Sequence, residues 1–511
     1  MRATLATMCS VMIGCGSPQP AERLIPPEPK ARPAGAATEA PKGEIVTAEI
    51  EKMNGDEFGK PPTEFRAGHP TPRTSPKATT TATGFHVQFE SHATITTPTV
   101  YERAVIVSGG FKSKELYAFD RISGAPLWAL DLHDDGPSSA ACERGVCVVN
   151  TESCTIFAIE AESGKHLWSY WLGDPLTSAP SIAGSRVFAS YPAAGTSNGK
   201  PRPPGATHVL AAFELATGKI LWQRWLDGDV MSAPVAVGEF VYATTFNGTL
   251  IKFEQATGKI RYAMRAKATS APVVQFDASG VEQMYYTRRG EAAEEADGAQ
   301  EMLIRADHNE PQTKYKAAQK KADYIDKTVQ KGSTHAAESG EQDAANGFSG
   351  GAPASAAAHY AFDSVGISNV SSMQNFQGSR VVKLADRSVN TMGDEVIATD
   401  ADTGAKLWSY KLEGDLRKQG GFLGTAPLAA GGTILFGTLQ GKIVRLDQTS
   451  GKEVASYAVG GKVRSQPVVA GGWIYVGTED GRLVAINTRD PKVTGWPTWG
   501  GNAQRTGIAA P

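Results

Sequence analysis

The phrase "YAFDRISGAPLW", Tyr117 to Trp128, returns along the chain as "FAIEAESGKHLW", "AAFELATGKILW" and "IATDADTGAKLW". A chain that repeats one phrase at a fixed period is constrained to stack copies of one supersecondary unit, because a single unit leaves its apolar face uncovered. Aligned on the acid four places before Gly, the anchors are Asp120, Glu160, Glu214, Glu254, Asp400 and Asp447. Their glycines are Gly124, Gly164, Gly218, Gly258, Gly404 and Gly451, and the commonest step is 40 residues.

Each unit also has an upstream half. "TTPTV", "SAPSI", "SAPVA", "SAPVV", "TAPLA" and "SQPVV" open the units, and runs such as "EFVYATT", "TILFGT" and "WIYVGT" follow. Short alternating runs of β-branched and aromatic residues between Gly, Pro, Asn and Asp are strand signatures. One unit is therefore four antiparallel strands. The acid ends the third strand, where it can accept hydrogen bonds from the amides of the next turn, and the Gly supplies a backbone angle that other residues avoid. These acids are read as hairpin devices and not as catalytic groups. Eight places after the acid stand Trp128, Trp168, Trp222 and Trp408, with Tyr262 in the fourth copy and Ala455 in the seventh. A flat ring at one fixed place per unit covers the seam to its neighbour and buries roughly 150 to 250 Å².

Two copies are disguised. "LIRADHNEPQTKY" aligns with "LIKFEQATGKIRY", which puts Asp307 at the acid position and Tyr315 at the aromatic one. The last copy ends its third strand at Asn487 and has no Trp strand after it. The orphan strand "GFHVQFES", residues 84–91, stands before the first unit and can supply the missing edge. Joining first and last strands closes a ring and leaves only short edges. The expectation is an all-β, eight-bladed β-propeller of four-stranded antiparallel blades, or seven-bladed if the Asp307 copy is not a blade.

The unit "A-x-D-x-x-T-G-x-x-L-W" resembles the repeat of pyrroloquinoline-quinone (PQQ) type propellers, and the resemblance covers about residues 84–507. The ending "GWPTWGGNAQRTG" is similar to a segment that closes such propellers, with Trp496 and Trp499 packing across the closing blade. The resemblance implies one of two branches. Quinoprotein dehydrogenases bind PQQ and Ca2+; BamB-like propellers are cofactor-free lipoproteins of outer-membrane β-barrel assembly. The adjacent Cys-Cys pair of the first branch is missing, no C-x-x-C-H haem site is present, and every tryptophan but one is accounted for by seams, closure and strand positions. Trp171 and Trp225 fall three beyond a seam Trp, on the opposite face of their strands. The expectation is no catalytic, cofactor or metal residues, with the PQQ and calcium dehydrogenase as the alternative.

The start "MRATLATMCSVMIGCGS" resembles a bacterial lipoprotein signal, residues 1–14, with Cys15 as the lipidated residue. It is too short to span a bilayer. Gly16 after Cys15 fits outer-membrane sorting by the same resemblance. Residues 15–83 are rich in Pro, Ala, Thr, Lys and Glu and read as a disordered tether with a reach on the order of 45 Å. Cys142, Cys147 and Cys154 cannot all pair, so one bridge and one free thiol are expected in an oxidising compartment. The spacing fits no zinc pattern. A formal charge of −2 over 511 residues gives no reason to expect nucleic acid as a partner.

The domain is then 84–511, interrupted by an insert at about 316–375. Its start, "TKYKAAQKKADYIDKTVQK", reads as a basic amphipathic helix, and "GFSGGAPASAAAHYAFDSVG" as a flexible loop. Lys316, Lys320, Lys321 and Tyr324 are the candidate partner-binding residues. The functional expectation is a non-enzymatic envelope lipoprotein, facing the periplasm from the outer membrane, that holds protein partners.

Overall fold

The computed structural model describes residues 44–321 and 381–508, apart from 60, 62–68, 111, 152–154, 173–177, 193–199, 267, 269, 277–281, 290–299, 308–312 and 416–422. Strand follows strand, and neighbours in sequence pair antiparallel into sheets. Sheet 1 spans Thr99–Asp131, sheet 2 Ala141–Trp171, sheet 3 Ser181–Leu226, sheet 4 Val235–Arg265, sheet 5 Val273–Lys321, sheet 6 Val382–Lys411 and sheet 7 Leu428–Ala458. Sheet 8 joins Val468–Ala470, Trp473–Gly477 and Arg482–Asn487 to Gly84–Gln88. The inner strands of sheets 1 to 5 pack on one another in order, and the inner strand of sheet 8 packs on that of sheet 1. The ring is thus closed by the N-terminal strand, which runs Gly84–Gln88 within the expected 84–91.

Seven of the sheets are described with their side chains, Met392 excepted, and form the four-stranded blades of an all-β propeller, the lower of the two expected counts. Sheet 5 is described in its backbone through Lys321 and in the side chains of its inner half. It keeps the register of the other units. Arg305 stands opposite Tyr315 with a bulge directly after, as Ala118 stands opposite Trp128 and Ala212 opposite Trp222.

The hairpin acids divide by length. In Asp120, Asp400 and Asp447, Oδ1 accepts from the two amides and the hydroxyl of the turn; at Asp447 these are Thr449 N at 3.1 Å, Ser450 N at 2.7 Å and Ser450 Oγ at 2.8 Å. Glu160, Glu214 and Glu254 are one carbon longer and accept from the hydroxyl of Ser163, Thr217 or Thr257. The glycine closes the turn at positive φ, 71° at Gly124 and 69° at Gly451. Hydrogen bonds from Ser450 and Thr449 hold the Asp447 carboxyl below its ordinary range. A depressed folded-state pKa stabilises the fold above the unfolded carboxylate range and ceases to do so as pH falls through the folded value. The Asp447→Asn variant is therefore expected to lose part of the fall in thermal midpoint that wild type shows between pH 6 and pH 3. Identical pH profiles would contradict this.

Each seam is built from one ring and one glycine. A Cβ on Gly164 would lie 2.9 Å from Trp128, on Gly218 2.6 Å from Trp168, on Gly258 2.6 Å from Trp222 and on Gly451 2.6 Å from Trp408. The indole Nε1 donates across the seam to a carbonyl one residue past the neighbour's acid: Trp128 to Ala161 (2.9 Å), Trp168 to Leu215 (2.8 Å), Trp222 to Gln255 (2.8 Å) and Trp408 to Gln448 (3.1 Å). At the closing seam Phe85 takes the ring's place, 2.8 Å from where a Cβ of Gly124 would lie. Where the ring is smaller, the residue opposite it is longer. Ala faces Trp in sheets 1, 2, 3 and 6, but Lys252 faces Tyr262 and Arg445 faces Ala455. Arg445 is buried and donates to Asp490 at 3.0 Å across the last seam.

The disordered tether of 15–83 is too long by its second half. Glu44–Ile45 adds an outer strand to sheet 4, the helix Thr47–Met53 follows, Thr71–Pro72 extends sheet 1 and Thr79–Thr81 extends sheet 8. Val46 and Ile50, one helical turn apart, are each 3 % exposed against the seam of sheets 3 and 4. Average composition hid them, because two apolar side chains at the right spacing suffice when the surface that receives them is already built. Residues 1–43, with Cys15, lie outside the described residues.

Candidate functional site

Strand alternation sends two classes of connection to opposite ends of every sheet. The turns between first and second strands, such as 102–103 and 431–432, and the acid-glycine hairpins occupy one end. The other end carries the strand ends from which the second-to-third-strand and sheet-to-sheet connections leave, among them Pro192, Arg289 and Lys321. The longest interruptions of the repeat therefore leave from one face, and long connections of this kind are where binding residues on a rigid scaffold concentrate.

The inner strands are bridged by the chain's own C-terminal segment. It pairs with the middle residue of one inner strand after another: Val469 with Trp496, Val100 N to Pro497 O at 2.6 Å, Ile182 N to Ala503 O at 2.8 Å and Ala236 N to Gln504 O at 3.0 Å. It ends beside sheet 6, where Lys383 bridges to Ile508. Arg505, fully buried, donates to Pro180 O, Ser139 O, Ala140 O, Trp499 O and Thr498 Oγ1 at 2.8 to 3.2 Å. One guanidinium thus ties sheets 2 and 3 to the closing segment, with its carbon 5.3 Å from the Trp499 ring. Trp496 is 1 % exposed and donates to Gln466 Oε1 at 3.2 Å. The sequence marked both tryptophans as closing residues; it gave no sign of Arg505, since an arginine in a polar tail reads as solvated until its five acceptors are assembled.

The insert is corrected at its start. Thr313–Lys321, read as the first turns of a basic helix, is the outer strand of sheet 5, with Ile304 opposite Lys316 and Gln300 opposite Lys321. Local helix preference gives way to a waiting partner strand. Lys316, Lys320 and Lys321 lie on that strand, while Tyr324 and the rest of the insert to 375 lie outside the described residues. The structure brings Lys316, Lys320 and Lys321 to the edge of one sheet and to none of the residues around the axis.

Cys142 and Cys147 form a disulfide between the first two strands of sheet 2, and Cys154 lies outside the described residues. One further buried group escaped the sequence. At the seam of sheets 4 and 5, Lys252 Nζ donates to Glu282 Oε2 at 2.6 Å, with side chains 0 % and 1 % exposed, and Tyr242 OH donates to the other oxygen. The ammonium sits 3.5 Å from the centre of the Phe240 ring. Burial pushes the Lys252 pKa down while the Glu282 contact opposes it. The pair ties the seam of sheets 4 and 5.

A family described as outer membrane protein assembly factor BamB matches residues 112–197, 204–293 and 392–503, more than half of the chain. The protein of that name from Nitrosomonas eutropha is 26 % identical over 181 residues, 33 % of this chain and 42 % of the relative. That from Shewanella oneidensis is 28 % identical over 155 residues, 30 % of this chain and 39 % of the relative. The matched part thus spans less than half of those relatives' length. Among solved structures, the quinohemoprotein alcohol dehydrogenase ADHIIG from Pseudomonas putida HK5 superposes with a TM-score of 0.53 at 12 % identity, over 89 % of this chain and 84 % of that one. At that identity the likeness is one of fold alone. Repeat, seam, closure and family match agree: the chain belongs to the BamB family of PQQ-like repeat propellers.

Proposed function

We propose that the protein is a non-enzymatic scaffold of the bacterial cell envelope, lipid-anchored through Cys15, that holds protein partners during outer-membrane protein assembly. The observation that carries this reading is the C-terminal segment 496–508 laid along the inner strands, which leaves loops and strand edges as the surfaces offered for contact. The relatives it matches are assembly factors by name. The Cys142–Cys147 bridge suits an oxidising compartment. The insert beyond Lys321 is the proposed partner arm.

The dehydrogenase alternative asks for more than the described residues offer. Calcium would need several converging oxygen ligands, and the quinone a stacking ring and a base beside it. Among the described residues no group of three or more His, Cys, Asp or Glu could hold a metal ion. The tryptophans nearest the axis are packed against Gln466 and Arg505. Both observations support the cofactor-free reading over a PQQ and Ca2+ centre among the described residues.

The test has two arms. In the source bacterium, loss of the protein is expected to lower the outer membrane's content of β-barrel proteins, with recovery on re-expression. Calorimetric titration of the full chain with PQQ and Ca2+ is expected to give no heat of binding. Unchanged barrel content would remove the assembly role, and stoichiometric quinone binding would restore the enzyme reading.

A further inference from the structure

Among the described residues, the N-terminal segment covers the outer rim at sheets 4, 3, 2, 1 and 8. The N-terminal segment runs against the order of the sheets. It adds Glu44–Ile45 to sheet 4, joins Asn54 to the backbone of Trp225 on the outer strand of sheet 3, and sets His69 5.3 Å from His166 on that of sheet 2. It then extends sheet 1 with Thr71–Pro72 and sheet 8 with Thr79–Thr81. Sheet 6 ends on Lys406–Lys411, with no further strand beyond it among the described residues. Such an edge presents N–H and C=O groups in a row, a template for another strand.

What this fold accepts at an outer edge is visible at sheet 4. Glu44 stands in register with Arg265 and Ile45 with Met264, and Val46 N donates to Ala263 O at 2.9 Å. Arg265 takes the carboxylates of Glu44 at 3.0 Å and Glu49 at 2.7 Å. Counted from the hairpin acid, Arg265 is the eleventh residue after Glu254, and the eleventh after Asp400 is Lys411. The units of sheets 1, 2, 3 and 7 place Asp131, Trp171, Trp225 and Ala458 there. Lys411 is exposed, sits opposite Glu395 as Arg265 sits opposite Thr249, and makes no ion pair among the described residues. Leu407, on the same strand, is 38 % exposed.

We propose that the outer edge of sheet 6 is a docking strand for an extended, acid-bearing apolar segment of a partner protein. The segment adds as a fifth strand to Lys406–Lys411 and sets a carboxylate against Lys411, as the chain's own Glu44 does against Arg265. This edge lies on the rim and not on the long-connection face, so the inference stands apart from the assembly reading.

The probe is a labelled peptide with the sequence of residues 44–54, titrated into the full chain by fluorescence anisotropy. Saturable binding is expected. Lys411→Glu should weaken it about tenfold, since an attractive charge pair becomes repulsive. Arg265→Glu should leave it unchanged, because that edge is already occupied. A peptide with Glu44→Lys and Glu49→Lys should bind the Lys411→Glu variant better than the parent peptide does. Lys411 is exposed, so its variant should keep the wild-type thermal midpoint. Absence of saturable binding would overturn the proposal. So would binding that survives Lys411→Glu and fails in Arg265→Glu, which would mark exchange with the chain's own segment at sheet 4.

Discussion

Replacing Trp222 with Ala is expected to destabilise the propeller by about 3–5 kcal/mol, the range for a buried Trp or Phe truncated to Ala. Three losses coincide at this position. The ring is 6 % exposed and stacks on Phe253 with centroids 6.2 Å apart, with Phe188 tilted against it at 5.9 Å. Its removal leaves Gly258, held at φ 67°, facing a void that its own missing side chain cannot fill. The Gln255 carbonyl loses its donor, and an unsatisfied buried acceptor costs about 1–3 kcal/mol. Because the seam joins sheets 3 and 4, the void lies between two units and neither can collapse into it alone. Denaturant unfolding followed by fluorescence and circular dichroism would measure the change. Trp222→Phe should recover part of the loss, keeping the ring but not the donor. A Trp222→Ala variant within about 0.5 kcal/mol of wild type would show that the seam is held elsewhere, since that is the range of ordinary surface substitutions.

The same seam explains how much of this molecule was legible beforehand. Acid, glycine and tryptophan recur at fixed spacing because each must meet its counterpart in the next unit, so geometry that repeats writes itself into the sequence repeatedly. Strand order and ring closure could be read from that, while of the two blade counts it allowed the lower one holds. What repetition does not enforce stayed hidden. Val46 and Ile50 are two apolar residues in a polar segment, and only the finished surface of sheets 3 and 4 gives them meaning. Thr313–Lys321 has the composition of a helix and becomes a strand because Gln300–Asp307 offers it an edge. Arg505 is one residue whose five acceptors come from three separate segments of chain, 139–140, 180 and 498–499. The departures from the repeat proved the more informative signs. Lys252 and Arg445 stand where Ala is the rule, and both sit where the tryptophan is absent.

Glu282→Ala is the second large effect expected, about 3–5 kcal/mol, because breaking a buried pair strands an uncompensated charge. Lys252 would be left fully buried among Phe240, Tyr242 and Tyr262, whose ring centres lie 3.5, 5.5 and 6.0 Å from its nitrogen. Aromatic faces attract an ammonium but do not replace a carboxylate in contact with it. The stranded lysine would titrate lower in the folded than in the unfolded state. The unfolded chain then binds more protons between the two values, so the variant's stability should rise with pH across that window and recover part of the loss. Wild type, with the pair intact, should show a weaker rise. Removing both charges as Lys252→Met with Glu282→Leu should cost less than Glu282→Ala alone, since no charge remains to be buried. Urea unfolding of wild type and the two variants at pH 7 and pH 9 measures each term. A double variant as unstable as Glu282→Ala, or a single variant insensitive to pH, would mean that the sheet 4 and 5 seam depends on shape and not on charge.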